Sequence, residues 1–124
     1  TLSQRAVSWL FYILAQHQPT KLLITLSEKL KQVVLPISDL KNEEYKQHFE
    51  GHDVAFCALG TTRKDAGSPE NFVKVDYQYV ADFADVSKAA GVKDFHVVSS
   101  IGANKNSWFL YPRTKGQVSN IPWF

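Results

Sequence analysis

No glycine precedes Gly51, methionine is absent, and Cys57 is the only cysteine among the 124 residues. Each scarcity closes off a class of protein. A single thiol makes no internal disulfide and no zinc cluster. Its place in the apolar run Val54 to Leu59 is that of a small hydrophobe, in keeping with a reducing compartment. A formal net charge of +2 leaves no electrostatic footprint for nucleic acid or for a charged membrane surface. Lys29 and Lys31 are the one local basic pair, and they read as solvated surface. Long apolar runs are missing too. Ala6 to Ala15 is far shorter than the ~20 residues that cross a bilayer. Arg5 stands ahead of it as in a secretory signal, but no small-residue cleavage site follows before Gln16. With no methionine and Thr1 in first place, the chain reads as a fragment or a processed product.

Hydrophobic residues at 44% and charged residues at 21% are ordinary for a globular domain, and the length suits one domain with a core. Residues 3 to 18 are helix-compatible, with Trp9, Tyr12 and Ile13 on one spacing and Leu10 and Leu14 on another, ended by Pro19. Leu22 to Leu26 reads as a strand buried on both faces. Val33 to Ile37 reads as a second strand, interrupted by Pro36. Asp39 to Glu50 has the acidic front of a helix, with Leu40, Tyr45 and Phe49 inward and Gly51 as its stop. Val54 to Leu59 is the clearest strand, followed by a loop from Thr61 to Gly67 that is expected to be mobile. Ser68-Pro69-Glu70 opens a helix, the serine as cap and the proline in the first turn. Phe72, Val75, Tyr79, Phe83, Val86 and Ala90 then recur every three or four residues, one face of a helix that Gly91 ends. Phe95 to Val98 is a further strand, closing on Ser99 and Ser100. Short apolar strands alternating with helices predict an α/β fold with a parallel sheet, whose ligands bind at the carboxyl ends of the strands.

Tyr111 and Lys115 are four apart and share a helix face. A phenol of ordinary pKa ~10 is mostly protonated at neutral pH, and a nearby ammonium favours its ionised form. Such a pair serves as acid and base in carbonyl–alcohol interconversion. Ser99 and Ser100, at a strand end shortly before Tyr111, are placed to hold the substrate oxygen. Gly60, after Leu59, lets backbone approach a cofactor closely. His17, His48, His52 and His96 show no metal-ligand spacing, and His96 within a strand reads as structural. No Gly-x-Ser-x-Gly elbow supports a hydrolase.

Four segments in order resemble the atypical short-chain dehydrogenase/reductase family. They are Gly51-His52-Asp53-Val54-Ala55-Phe56-Cys57-Ala58-Leu59-Gly60-Thr61-Thr62-Arg63, Phe72-Val73-Lys74-Val75-Asp76, Ser99-Ser100-Ile101-Gly102-Ala103-Asn104-Lys105 and Phe109-Leu110-Tyr111. The similarity runs roughly from Glu43 to Val118. It implies a Rossmann-like sheet flanked by helices, here truncated at both ends, and NADP(H) as cofactor. It implies Tyr111 as proton donor or acceptor, and Lys115 as the residue that orients the nicotinamide ribose and tunes Tyr111. Leu59 and Gly60 fall on cofactor-lining positions. Also implied are cytoplasmic and nuclear localisation, nuclear transport receptors and transcription regulators as partners, and roles in growth suppression and apoptosis.

The chain departs from that family in definite places. Its glycine-rich loop, which cradles the pyrophosphate on a helix N-terminus, has no counterpart before Gly51. Leu26-Ser27-Glu28 stands where the family carries an arginine pair for the ribose phosphate. The Glu28 carboxylate repels a phosphate, and Lys29 replaces the lost charge in part. Pro112 suits only a first helical turn, which puts Tyr111 at the helix entrance. The expected layout is one partial domain over 1–124, with an atypical helix in 1–20 and a divergent tail in 119–124. Two functional readings follow: an NADP(H)-dependent oxidoreductase acting on a carbonyl or alcohol, or a non-catalytic regulatory or interaction protein that has lost cofactor binding. Apolar surface left by missing strands predicts a homo-oligomer.

Overall fold

The computed structural model describes residues 9–12, 33 and 35–121, and among these, three four-residue strands pair in parallel as one sheet. They are β1 (Trp9–Tyr12), β2 (Val54–Cys57) and β3 (Asp94–Val97), in the spatial order β1-β2-β3. Trp9 pairs with Val54, and Val54 with Asp94, so the strands run level. The Asp53 carbonyl accepts from the amides of Lys93 and Asp94 at 3.0 and 3.3 Å, and the Cys57 carbonyl from Val98 at 2.9 Å. The first two bonds fix the amino ends of β2 and β3 side by side, and the third fixes their carboxyl ends. Ala55 and Cys57 are fully buried and Val54 and Phe56 half-buried, as in a sheet covered on both faces.

The helix expected over residues 3 to 18 is corrected by β1. Trp9-Leu10-Phe11-Tyr12 is an unbroken run of aromatic and aliphatic residues, and so short a run fits either period until a partner strand selects one. The strand expected at Leu22 to Leu26 lies outside the described residues. No strand forms over the described part of Val33 to Ile37. Instead Ile37–Asp39 is a 3-10 turn closed by the Asp39 amide on the Pro36 carbonyl at 3.1 Å. The helix expected from Asp39 to Glu50 is also a 3-10 helix, Glu43–His48, capped by Asn42, whose side chain accepts from the Glu44 amide at 3.0 Å. Leu40 and Phe49 are buried there as expected.

The long amphipathic segment is one continuous helical rod with a change of pitch. Pro69–Val73 is α-helical (α2), Lys74–Gln78 is a π-helical stretch, and Tyr79–Ala89 is α-helical again (α3). Ser68 caps its start by accepting from the Asn71 amide at 3.1 Å. At its end Gly91 takes φ +88°, and the Val92 amide reaches back to the Ser87 carbonyl at 3.1 Å. The loop expected from Thr61 to Gly67 contains a one-turn helix, α1 (Arg63–Ala66), capped by Thr62. The last element is α4 (Leu110–Val118).

The core lies where α3 crosses the sheet. Phe83 is fully buried, with its ring centroid 5.4 Å from Phe95 in an edge-on contact and 6.1 Å from Phe49. Leu59, Val80, Val92 and Val118 complete the cluster. His96 stacks on Phe56 at 5.1 Å, a structural contact. Truncating Phe83 to alanine opens a cavity against three elements at once, and a loss of about 3–5 kcal/mol is expected. Thermal denaturation followed by circular dichroism measures it.

Candidate active site at the strand tips

Beyond Cys57 the chain leaves β2 through Ala58 and Leu59. Leu59 is buried in the core, so the half-open position at this tip is Gly60. A Cβ built on Gly60 would lie 3.5 Å from the Lys115 ammonium and 3.9 Å from the Asp76 carboxylate. A methyl group there would touch the buried charge pair at ordinary van der Waals distance, so glycine leaves the main chain bare directly beside the Lys115 ammonium.

Lys115 comes from α4 and is only 7% exposed. Its Nζ lies 3.0 Å from Asp76 Oδ2, and Asp76 is wholly buried in the middle of the π-helical stretch. Oδ1 of the same carboxylate accepts from the Thr61 amide at 2.7 Å. Oδ2 has no directional hydrogen bond, and the Lys115 ammonium is its counter-charge. One carboxylate therefore joins the β2 tip, the rod and α4.

Tyr111 is the second residue of α4, one turn before Lys115, and is 41% exposed. Its ring centroid is 5.8 Å from Lys115 Nζ and 5.8 Å from the Phe72 ring. Pro112 falls in the first turn, where a missing amide costs no intrahelical bond, so Tyr111 does sit at the helix entrance. The pair anticipated from spacing is brought together, and Gly60 joins it. Ser99 is exposed, whereas Ser100 is half-buried and its hydroxyl is shielded from solvent without a protein partner among the described residues.

Three contributors escaped the sequence reading. Asp76 carried a signal, since it lies four residues from both Phe72 and Val80 on the buried face, where a carboxylate needs a partner. Phe72, which flanks Tyr111, read only as core. Gly116 carried none: the space a Cβ would need is filled by the backbone of Asn104 and Lys105. That close approach lets the Asn104 amide donate to the Pro112 carbonyl at 2.8 Å, pinning the loop before α4 against the helix.

Gly60 and Lys115 are the groups at this tip that would hold the nicotinamide-ribose half of a dinucleotide. Gly60 is half-open, Lys115 brings a cation paired with Asp76, and the Ser100 hydroxyl has no partner among the described residues. Sequence comparison supplies the lineage. The family described as NAD(P)H-binding matches residues 13–120. The chain belongs to this NAD(P)H-binding family.

Among relatives, protein HTATIP2 of Rattus norvegicus is 53% identical over 78 residues, covering 63% of this chain and 32% of that protein. The mitochondrial protein FMP52 of Debaryomyces hansenii is 42% identical over 78 residues, covering 63% and 34%. The mitochondrial protein FMP52-1 of Scheffersomyces stipitis is 40% identical over 102 residues, covering 76% and 45%. The chain thus spans between about a quarter and just under half the length of the curated relatives it matches. The Rossmann-like parallel sheet agrees with this family and with NAD(P)H as its cofactor.

Two tests follow from the packing. Gly116→Ala forces the Asn104–Lys105 backbone away from α4, and a loss of about 1–3 kcal/mol in chemical denaturation is expected. Burial pushes the Cys57 thiol up from 9.0 to about 11, against smaller opposing effects of the Leu59 backbone and the Lys115 charge. The folded thiol keeps its proton where the unfolded one ionises, so this contribution is intact below pH 9 and is lost as pH rises toward about 11. Melting temperature should fall more steeply across that window in the wild type than in Cys57→Ala.

Proposed function

We propose that this chain forms the cofactor-binding part of an NADP(H)-dependent oxidoreductase that interconverts a carbonyl and an alcohol. Residues 1–124 are then one partial domain. When bound, the nicotinamide supplies or takes the hydride. Tyr111 exchanges a proton with the substrate oxygen through its hydroxyl. Ser100, with Ser99 beside it, positions that oxygen. Lys115 turns its positive charge toward the ribose and the phenol, and Leu59 and Gly60 form the wall the cofactor lies against. The observation that supports this reading best is the Lys115 ammonium beside Gly60, with the Tyr111 ring 5.8 Å away.

A second reading draws on the missing glycine before Gly51 and on the commitment of Lys115 to Asp76. In it the chain is a non-catalytic regulatory or interaction protein that has lost cofactor binding. Its partners are nuclear transport receptors and transcription regulators in the cytoplasm and nucleus, with consequences for growth suppression and apoptosis. A mitochondrial setting, which the names of the fungal relatives carry, is the competing compartment. Self-association fits both readings, because Val98, Ile101, Trp108 and Phe109 are all exposed.

Titration of the purified chain with NADPH, followed by the cofactor's fluorescence, separates the two. Saturable binding that disappears in Lys115→Ala is expected. An unchanged signal at the highest NADPH concentration would reject the first reading and leave the second.

A further inference from the structure

We infer that Asp76 is a positioning residue for the proposed cofactor site, holding the Lys115 ammonium at the β2 tip while it anchors the turn that follows Gly60. The inference rests on the oxidoreductase reading for its functional consequence, but its structural half stands alone.

The two oxygens of Asp76 do different work. Oδ1 takes the Thr61 amide at 2.7 Å, which orients the backbone immediately after Gly60. Oδ2 faces Lys115 Nζ at 3.0 Å, which keeps the ammonium at that same glycine. A lysine on α4 whose charge had no task would extend its stem and reach water, as long basic side chains usually do. Here the ammonium is drawn inward against a wholly buried carboxylate. Burying two charges is costly, and an apolar pair of similar volume commonly serves stability as well or better. The arrangement is accounted for when the charge must stand at one spot beside the strand tip.

The surrounding helix supports the assignment. Asp76 is the middle residue of the π-helical stretch Lys74–Gln78, and such wide turns inside α-helical rods are frequent at functional sites. Phe72, just upstream on the rod, packs on Tyr111. The same short length of rod therefore orients both Lys115 and Tyr111, one by charge and one by ring contact. Asp76 lies beside the ammonium, its Oδ2 3.9 Å from the Cβ position of Gly60, and touches no reacting atom in this assignment.

Asp76→Asn separates the two tasks. The amide oxygen still accepts from Thr61, while the counter-charge of Lys115 is gone. Three measurements read the effect: NADPH affinity, acetylation of Lys115 by an N-hydroxysuccinimide ester followed by peptide mass spectrometry, and exchange of the Thr61 amide by NMR. The expected result is NADPH binding weakened by roughly tenfold or more, as when a charged hydrogen-bond partner is lost. Lys115 should also be acetylated several-fold faster, with Thr61 protection retained. Thr61 protection should fall only in Asp76→Ala. A merely structural aspartate would lower the melting temperature and free Lys115, yet leave the NADPH affinity of the folded protein where it was. NADPH binding within twofold of wild type in Asp76→Asn overturns the proposal, whatever happens to stability. Should the wild-type chain itself bind no NADPH, the oxidoreductase reading fails, and Lys115 acetylation then decides: faster in Asp76→Asn supports the positioning role, unchanged rejects it. If Asp76→Asn does not melt cooperatively, Asp76→Glu takes its place: the charge is kept but displaced by one methylene, NADPH binding weakened several-fold is expected, and wild-type affinity overturns the proposal.

Discussion

A single carboxylate inside the protein organises everything at the strand tips. Asp76 has no contact with water, and an isolated buried anion is unfavourable by many kcal/mol unless a cation and hydrogen-bond donors surround it. Its two partners come from segments 15 and 39 residues away along the chain, Thr61 and Lys115. Neither partner can shift without stranding the charge. That coupling is strong because the site is dry: removing one member of a buried pair typically costs about 3–5 kcal/mol. The β2 tip, the rod and α4 are consequently held in one arrangement, and Gly60 lies at their junction.

Around that junction the fold does simpler work. Parallel pairing in level register brings the carboxyl ends of β2 and β3 to one edge, and the Val98 amide on the Cys57 carbonyl ties them there. Gly116 lets the loop before α4 lie directly on the helix, so the entrance of α4 is fixed by backbone contact rather than by side chains. The aromatic core of Phe49, Phe83 and Phe95 holds α3 to the sheet at a distance from the tips. Most of the aromatic packing thus lies apart from the tips, while Leu59 belongs to both. The buried Cys57 is part of that packing, set in the central strand and kept neutral by its surroundings.

Legibility in the sequence followed the strength of local signals. The rod was readable from end to end, because the apolar residues recur at helical spacing and Ser68, Pro69 and Gly91 are the residues that caps and stops require. Its π-helical stretch was not, since a change of one residue per turn scarcely alters so short a pattern. Trp9 to Tyr12 read as helix because four apolar residues satisfy either period, and pairing with Val54 to Cys57 decided for a strand. Glu43 to His48 had helical composition, yet so short a segment between two buried anchors, Leu40 and Phe49, is accommodated by the tighter 3-10 winding. At the site, the Tyr111–Lys115 spacing and the placement of Gly60 at a strand end were visible, whereas the carboxylate that governs Lys115 lay hidden in a helical repeat.

The amino-acid order by itself determined the α/β alternation, the caps of the rod, the first-turn position of Pro112 and the family to which the chain belongs. These depend on short-range sterics, hydrogen bonding within a few residues, and ordered motifs. Only the tertiary structure decided that residues 9 to 12 pair as a strand, that Gly116 must lack a side chain, and that Lys115 answers to Asp76. Those outcomes arise from contacts between distant segments, where the exclusion of water makes a charge or a single methyl group decisive.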